Sequence, residues 1–347
     1  MGHDDGAGQM TVRVGINGFG RIGRNYLRAI LASVADVEVV GINDLTSAET
    51  LAHLLRYDST HGRLSVPVQV EGADLLVGEK PIRVMAERDP AQLPWDLLEA
   101  DVVIESTGIF TSREQAAQHL GGTVRRVIIS APSGDADTTV VMGVNDEDYD
   151  PEKDFVISNA SCTTNCFVPM VKVIDDEFDI VSGLMTTVHA YTNDQNLLDL
   201  PHKDLRRARA AATNIVPTST GAARATGLVL ASMKGHLDGY SLRVPLPAGS
   251  ITDFTAVVKG NPSVADVNTA FATAAAKPPL EKYLVYTEDP IVSSDIVGSP
   301  ASCTFDAGLT MVMPINDELG LVKTFGWYDN EWGYSNRLVD LTVLVGG

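Results

Sequence analysis

Residues 12–23 read Val12-Arg13-Val14-Gly15-Ile16-Asn17-Gly18-Phe19-Gly20-Arg21-Ile22-Gly23, a short apolar run followed by three glycines spaced Gly-x-Gly-x-x-Gly. The pattern gains meaning where a strand turns into a helix, because each glycine then meets a separate steric demand. Gly18 permits a positive φ, Gly20 lets the backbone approach a pyrophosphate, and Gly23 lets the helix contact the strand closely. Phosphates would lie at the N-terminus of the helix. The stretch therefore predicts a dinucleotide-binding βαβ unit.

An acidic residue follows at the distance that such a unit requires. Asp44 closes the next predicted strand, 21 positions after Gly23 (44 − 23). A carboxylate there accepts hydrogen bonds from the adenosine ribose hydroxyls and repels a phosphate on that ribose. The alternative is a simple turn residue at the end of a strand. Together with the glycines, Asp44 favours NAD over NADP as the cofactor.

The residues around this motif alternate between short apolar strands and helical segments. Such alternation favours parallel strands joined by helices, as in a Rossmann-type α/β domain. The predicted elements are strands at 12–17, 37–43, 102–105 and 127–130 and helices at 21–33, 47–55 and 112–119.

Downstream of Cys162 the predicted strands become longer. This change favours a second, α+β catalytic domain with a mixed or antiparallel sheet. Leu338, Leu341 and Leu344 recur at helical spacing, so we expect a final helix over 331–347 that packs on the first domain. The elements predicted in the second domain are strands at 183–189, 240–244 and 252–258 and helices at 221–231 and 263–275.

The length of the chain agrees with two domains. At 347 residues it exceeds the size at which a single hydrophobic core usually keeps growing. We expect an NAD-binding domain at 11–160, completed by the helix at 331–347, and a catalytic domain at 161–330. Residues 1–10 are rich in glycine and aspartate and show no periodicity, so we expect a disordered N-terminal extension there.

The charge balance disfavours two classes of partner. The chain has 26 basic and 45 acidic residues, a formal net charge of −19, which repels nucleic-acid phosphates and anionic membranes. It has neither a long apolar run nor a signal-peptide pattern, so we expect a soluble, cytoplasmic protein. The three cysteines, Cys162, Cys166 and Cys303, form no metal-ligand pattern. We therefore expect no metal site and no structural disulfide.

The segment Asn159-Ala160-Ser161-Cys162-Thr163-Thr164-Asn165-Cys166 places a cysteine where a predicted strand turns into a helix. Backbone N–H groups at a helix start favour thiolate over thiol, which lowers the pKa of a cysteine, and they can also hold an oxyanion. Cys162 is thus a candidate nucleophile. The alternative is a buried cysteine in a polar turn, the commoner setting of a free cysteine.

Two further motifs are Thr186-Thr187-Val188-His189-Ala190-Tyr191-Thr192-Asn193-Asp194-Gln195 and Trp327-Tyr328-Asp329-Asn330-Glu331-Trp332-Gly333-Tyr334-Ser335-Asn336. With the two segments above, and in the same order, they resemble glyceraldehyde-3-phosphate dehydrogenase of the phosphorylating, glycolytic type. The similarity covers all but the first ten residues. It implies oxidation of D-glyceraldehyde 3-phosphate by NAD to 1,3-bisphosphoglycerate, with inorganic phosphate as second substrate. It also implies a homotetramer whose long loop, roughly 191–215, reaches a neighbouring subunit's cofactor.

The resemblance also assigns roles to individual residues. Cys162 would carry a hemithioacetal and then a thioester, His189 would take the thiol proton and stabilise the hemithioacetal oxygen, and Cys166 is expected to be structural. The pair Leu200-Pro201 resembles the residues found at this place in the NAD-dependent members of the family. The expected cofactor contacts are Gly18, Gly20, Arg21, Ile22, Gly23, Asp44, Arg88, Ser130, Asn330 and Tyr334. The expected contacts of the substrate phosphate are Thr192, Arg207 and Arg243, and those of the attacking phosphate are Ser161, Thr163, Thr220 and Gly221.

Two other functions stay open at this point. Erythrose-4-phosphate dehydrogenase, a relative with the same nucleophile, uses water instead of phosphate, but Asp44 and the intact Ser161, Thr163 and Thr220 argue against it. A protein that mainly binds RNA or a host surface would not need a complete active site, and the charge of −19 disfavours RNA. Phosphate-independent turnover would favour erythrose-4-phosphate dehydrogenase. Absence of NADH formation by folded protein would favour a binding protein.

Overall fold

The computed structural model describes residues 11–347, which form two compact units. The first unit comprises the described residues up to Thr138, together with Asp150–Asn159 and Leu338–Gly347. The second comprises Thr139–Tyr149 and Ala160–Arg337. The extension predicted at 1–10 lies outside the described residues.

The segment Thr139–Tyr149 lies in the second unit, although the predicted boundary places it in the first. The reason is a small hydrophobic cluster in which Val141 packs with Ala160, Val168 and Val229. Apolar contacts of this kind assign a segment to a core, and periodicity along the sequence does not show them.

The first unit contains a nine-stranded sheet in the order β10-β11-β9-β8-β1-β2-β7-β6-β5. Its strands are β1 (Val12–Asn17), β2 (Val37–Asn43), β5 (Val68–Glu71), β6 (Asp74–Val77), β7 (Lys80–Met85), β8 (Val102–Glu105), β9 (Arg126–Ile129), β10 (Thr138–Thr139) and β11 (Val156–Ser158), with a separate pair, β3 (Tyr57–Asp58) and β4 (Gly62–Arg63). Its helices are α1 (Arg21–Ala32), α2 (Ala48–Arg56) and α3 (Arg113–Ala116).

The central strands β1, β2 and β8 are parallel and nearly fully buried. Near-continuous runs of valine and isoleucine suit such strands because both faces of a parallel sheet are covered. The strand order reverses between β1 and β8, and in doubly wound sheets ligands bind outside the carboxyl ends of strands at this point. The Rossmann-type prediction is confirmed.

The second unit contains an eight-stranded mixed sheet in the order β13-β14-β12-β15-β19-β17-β16, with β18 paired to β19. Its strands are β12 (Ile180–Ala190), β13 (Val216–Ser219), β14 (Leu237–Val244), β15 (Ser250–Lys259), β16 (Leu284–Thr287), β17 (Cys303–Asp306), β18 (Met311–Pro314) and β19 (Leu319–Tyr328). The remaining helices are α4 (Cys162–Phe178), α5 (Ala222–Val229), α6 (Val264–Ala275) and α7 (Trp332–Gly346), of which the last is assigned to the first unit from Leu338 onward.

One face of this sheet packs on α4. In β15, Phe254, Ala256 and Val258 are fully buried, and the residues between them are partly exposed. Phe254 meets Phe167 of α4 edge to face, with ring centroids 4.8 Å apart. The period-2 pattern thus fixes which face of the sheet holds the helix that carries Cys162. Among residues 11–347, no helix is both long and apolar enough to cross a membrane.

Candidate active site

Cys162 is the first residue of α4, and the turn before it is tightly built. Ser161 caps the helix, because its Oγ accepts a hydrogen bond from the backbone N–H of Thr164 at 3.0 Å. Ala160 has a φ of +55°, a left-handed conformation that is uncommon for a residue with a side chain. The turn leaves the Cys162 side chain half-buried at the helix N-terminus.

His189 lies near the end of β12 and faces the thiol. Its Nε2 is 3.3 Å from Cys162 Sγ, and its Nδ1 is 2.6 Å from the carbonyl oxygen of Ala190. If Nδ1 donates to that carbonyl, the lone pair of Nε2 faces the thiol and can accept its proton. The structure therefore brings the two predicted catalytic residues together in the geometry of a nucleophile and its base.

Arg243 contacts the far side of the same imidazole. Its guanidinium is 2.8 Å from His189 Nδ1 and donates to the Ala190 carbonyl at 3.2 Å. Because a guanidinium can only donate, it competes with that carbonyl for Nδ1, and Nε2 can act as a base only in the tautomer that carries its proton on Nδ1. Arg243 and His189 are register partners on the parallel strands β14 and β12, which explains the contact. Arg243 was predicted from the resemblance only as a contact of substrate phosphate, and its contact with the histidine was not predicted.

The electrostatics of the pair differ from expectation. The expected lowering of the Cys162 pKa is wrong, because burial of the thiol raises it, and the charge of Arg243 and hydrogen bonds from Thr163 offset only part of this effect. Burial, helped by the Arg243 charge, lowers the pKa of His189 to about 3. Burial thus favours the neutral form of both the thiol and the imidazole.

Tyr328 also lies at this site, although its sequence position alone did not predict a role for it. Its buried hydroxyl lies 2.8 Å from Thr163 Oγ1 on α4 and 2.7 Å from Thr187 Oγ1 on β12. It thus links the helix of the nucleophile to the strand of His189. The residue lies inside the quoted Trp327–Asn336 motif, which was the available signal.

The residues predicted for substrate phosphate lie in different settings. Thr192 follows β12 in the long loop and is partly exposed. Arg207 forms ion pairs with Asp194 and Asp204. Burial, together with the charge of Arg243, lowers the pKa of Arg207. Two neighbouring arginines favour a phosphate.

The residues predicted for the attacking phosphate lie at the starts of α4 and α5. Ser161 caps α4, and the Thr163 hydroxyl is occupied by Tyr328. Thr220 Oγ1 accepts from the backbone N–H of Ala222 at 3.2 Å, and Gly221 is the N-cap residue of α5. The two helices pack on each other. What they offer an anion is mainly the positive end of each helix.

The glycine fingerprint in the first unit fits a pyrophosphate. Gly18 has a φ of +93°, and a Cβ there would lie 2.6 Å from the backbone nitrogen of Thr107. A Cβ on Gly23 would lie 2.3 Å from the Gly18 oxygen, whereas Gly20 faces open space. None of the described side chains caps α1, which starts with Arg21 and Ile22. The open glycine and the uncapped helix start suit an anionic group.

Asp44 is bound to this turn. Its Oδ2 accepts from the Phe19 N–H at 2.9 Å, and its Oδ1 accepts from the Thr46 N–H at 3.0 Å. These bonds fix the carboxylate at the carboxyl end of β2, where a ribose of a dinucleotide on the fingerprint would lie.

The remaining predicted cofactor residues of the first unit are more dispersed. Arg21 forms an ion pair with Asp58. Burial raises the pKa of Asp58, but hydrogen bonds from the backbone N–H of His61, from Arg21 and from the backbone N–H of Thr60 lower it to about 2 overall.

The two residues predicted to contact the adenosine part lie apart from this ion pair in the sequence. Arg88 is exposed, and Ser130 follows β9 with its backbone N–H bound to the Glu105 carbonyl oxygen at 2.9 Å.

Asn330 and Tyr334 belong to the second unit. Asn330 is buried, and its Oδ1 accepts from Ser250 Oγ at 3.1 Å. The Tyr334 hydroxyl donates to the carbonyl oxygen of Ala160 at 3.0 Å, so it contacts the strained turn before Cys162.

The other two cysteines lie in the core. Cys166 and Cys303 are fully buried, and both sulfur atoms lie against Gly326, where a Cβ would be 3.1 Å and 2.6 Å from them. Burial also raises the pKa of Cys166 well above its ordinary value. This setting agrees with the structural role expected of Cys166, and it places Cys303 beside that residue.

Comparisons with known proteins agree with this geometry. Residues 12–113 match the family model "Glyceraldehyde 3-phosphate dehydrogenase, NAD binding domain", and residues 161–330 match "Glyceraldehyde 3-phosphate dehydrogenase, C-terminal domain". The chain is 60% identical over 337 residues to glyceraldehyde-3-phosphate dehydrogenase 2 of Streptomyces avermitilis and to glyceraldehyde-3-phosphate dehydrogenase of Streptomyces coelicolor. It is 60% identical over 343 residues to glyceraldehyde-3-phosphate dehydrogenase of Mycobacterium avium. Each match covers 97% of this chain and 99% of the relative. The chain therefore belongs to the glyceraldehyde-3-phosphate dehydrogenase family and has that family's NAD-binding domain.

Proposed function

We propose that this protein oxidises D-glyceraldehyde 3-phosphate to 1,3-bisphosphoglycerate with NAD and inorganic phosphate, as a step of glycolysis. The observation that carries the proposal is the 3.3 Å contact between Cys162 Sγ and His189 Nε2 at the N-terminus of α4. A thiol poised against a base at a helix start suits covalent capture of an aldehyde.

In the first step Cys162 Sγ attacks the aldehyde carbon. His189 Nε2 takes the thiol proton as the C–S bond forms, which avoids a free thiolate in a site where burial disfavours it. The resulting N–H of His189 then faces the hemithioacetal oxygen. NAD, when bound, supplies the two-electron oxidant. The hemithioacetal would lose its carbon-bound hydride to that oxidant and its hydroxyl proton by way of His189, which leaves a thioester on Cys162. A phosphate oxygen would then form a C–O bond to the acyl carbon as the C–S bond breaks, and the phosphate proton would pass through His189 to the sulfur, which restores the Cys162 thiol.

The two phosphates need separate cationic or N–H-lined sites, because the net charge of −19 repels them overall. We assign substrate phosphate to Thr192, Arg207 and Arg243. For Arg207 this requires exchange of its bond to Asp194 for one to phosphate. We assign attacking phosphate to the starts of α4 and α5, with Ser161, Thr163, Thr220 and Gly221.

For NAD, the glycines of the fingerprint and the first N–H groups of α1 would hold the pyrophosphate, and Asp44 would hold the ribose. Arg88 and Ser130 remain predicted contacts of the adenosine part. Asn330 and Tyr334 in the second unit remain predicted contacts of the nicotinamide, with Tyr334 also supporting Ala160.

A homotetramer is part of the proposal. The long loop carries several neighbouring apolar side chains that are more than half exposed in the single chain. Apolar side chains exposed together in this way favour an interaction surface. They are Leu197, Leu198, Leu200 and Leu205, and Ile215 adds to them. Sedimentation of the purified protein would test this. Location in the cytoplasm also stays a prediction.

The decisive experiment is an absorbance assay for NADH with glyceraldehyde 3-phosphate and NAD, with and without phosphate. We expect phosphate-dependent turnover by the wild type and none by Cys162→Ser, whose fold is checked by circular dichroism. Mass spectrometry of enzyme reacted without phosphate should find an acyl group on the peptide of Cys162. Phosphate-independent formation of the free acid would instead identify an erythrose-4-phosphate-type reaction. Failure of a folded, NAD-binding wild type to form NADH would reject the proposal.

A further inference from the structure

Three neighbouring strands of the first unit end in a polar residue at the same level of the sheet. Asn17 ends β1, Asn43 ends β2 and Glu105 ends β8, and Asn17 is paired in register with both of the others. Their exposed fractions are 2%, 5% and 2%. A buried polar layer thus lies one residue below the edge that carries the fingerprint turn.

Glu105 is the common acceptor of this layer. Its Oε2 accepts from Asn17 Nδ2 at 2.6 Å and lies 3.1 Å from His119 Nε2. Its Oε1 accepts from the backbone N–H of Thr107 at 2.9 Å and from the hydroxyl of the same residue. Four donors therefore converge on two oxygens, an arrangement that suits a carboxylate because only the ionised group is acceptor-only.

One end of the network fixes the histidine. Trp95 Nε1 can only donate, and it lies 3.1 Å from His119 Nδ1. His119 Nδ1 is therefore the acceptor, and the ring proton is on Nε2, where it faces Glu105.

The opposite end fixes the two asparagines. Asn43 Oδ1 accepts from the Glu87 N–H at 2.8 Å, and Asn43 Nδ2 donates to the Glu87 carbonyl at 2.8 Å and to Asn17 Oδ1 at 2.7 Å. Asn17 Nδ2 then has to face Glu105. On both sides of Glu105, each group thus donates its hydrogen bond toward the carboxylate, where the two chains of hydrogen bonds end.

We propose that Glu105 is a positioning residue for dinucleotide binding. Through Thr107 it holds the backbone that packs against the Gly18 turn, since a Cβ on Gly18 would lie 2.6 Å from the Thr107 nitrogen. Through Asn17 and Asn43 it fixes the backbone at Glu87, beside the predicted adenosine contact Arg88. The inference rests on the proposed function only in taking NAD as the ligand.

Glu105→Gln tests this directly, because it keeps the shape and replaces one acceptor oxygen by a donor NH2. Whichever way the amide turns, a donor then faces Thr107 N–H or the Asn17 and His119 donors. We expect the dissociation constant for NAD to rise about tenfold, the effect of one unsatisfied buried group. The KM for NAD should rise in parallel, whereas kcat at saturating NAD and the KM for the aldehyde should stay within twofold.

Two controls separate positioning from general loss of stability. Glu38→Gln changes a partly exposed glutamate on β2 that pairs with Arg13 at 3.1 Å, and it should leave NAD binding unchanged. Trp95→Phe should lower the melting temperature but leave the dissociation constant near the wild-type value, because it cuts the network at the end remote from the turns. If Glu105→Gln does not fold, Asn43→Ala carries the test, since it cuts the network without stranding a buried charge.

NAD binding is measured by calorimetry on the full chain, independently of turnover. A wild type that does not bind NAD would refute the proposed function. A wild type that binds NAD, with Glu105→Gln or Asn43→Ala binding it equally well, would refute the positioning role. Equal weakening by Trp95→Phe would also refute it, because the effect would then follow stability alone.

Discussion

The rings of Tyr328 and His189 meet edge to face, with centroids 5.9 Å apart and planes at 74°. The tyrosine hydroxyl binds Thr163, one residue after the nucleophile, and Thr187, two residues before the histidine. Tyr328 therefore links the helix that begins with Cys162 to the strand that carries His189.

Tyr328→Phe keeps the ring and removes the hydroxyl. Because two buried threonine hydroxyls lose a partner, we expect the free energy of unfolding to fall by about 1–3 kcal/mol. Activity should fall as well, since the Cys162–His189 geometry loses a support. Urea denaturation and steady-state kinetics check both effects. Tyr286→Phe, which removes a hydroxyl bound to Glu288, is the matched control. Equal behaviour of the two variants would contradict the role of Tyr328.

Arg243→Gln should make the Cys162 thiol harder to ionise. The guanidinium lowers the Cys162 pKa, so its removal leaves the effect of burial with less opposition. The rate of alkylation of Cys162 by iodoacetamide, followed by mass spectrometry across pH, should have its midpoint at higher pH in the variant. Arg209→Gln, at an exposed arginine of the long loop, should not move the midpoint. A downward shift in Arg243→Gln would contradict the electrostatics described above.

Asp44→Gly should narrow the preference for NAD over NADP. The change removes the charge that repels a ribose phosphate and also the acceptor of the Phe19 and Thr46 N–H groups. Asp44→Asn separates the two effects, because it removes the charge and keeps one acceptor oxygen. Ratios of kcat/KM for the two cofactors check this. An unchanged ratio in both variants would remove Asp44 from cofactor selection.

The neutral His189 should make the protein sensitive to acid. Its pKa is about 3 in the folded chain and 6.5 ordinarily, so between these values the unfolded chain binds a proton that the folded chain does not. Stability should therefore fall as the pH drops from about 6.5 toward about 3, and this contribution should be absent above 6.5. His189→Asn should flatten this slope in urea denaturation at several pH values. His53→Asn, at an exposed histidine, should keep the wild-type slope.

The sequence predicted the doubly wound part of the first unit well, because β1, β2 and β8 are rich in valine and isoleucine and the glycines mark the first turn. It did not predict β5, β6 and β7. These strands are short, and their turns depend on Gly72 and Gly78, which have φ values of +65° and +64°. Such isolated turn glycines give a weaker signal than a spaced motif.

For the site, the resemblance identified Cys162 and His189, and the structure brings them together. It did not reveal the contact of Arg243 with His189, because that contact follows from the register of two strands far apart in sequence. The direction of the Cys162 pKa shift was wrong for a related reason. A helix start is a local feature, whereas burial of the thiol depends on tertiary packing.

Ala160 is one of three non-glycine residues between 11 and 347 with positive φ. Strain of this kind costs of order 1–3 kcal/mol, and a glycine at the position would relieve it. Ala160→Gly is thus a route to a more heat-resistant protein only if the extra backbone freedom gained by the unfolded chain does not cancel the benefit. Because Ala160 lies two residues before the predicted nucleophile, a substitution that makes the protein more heat-resistant there also changes the backbone that leads to Cys162.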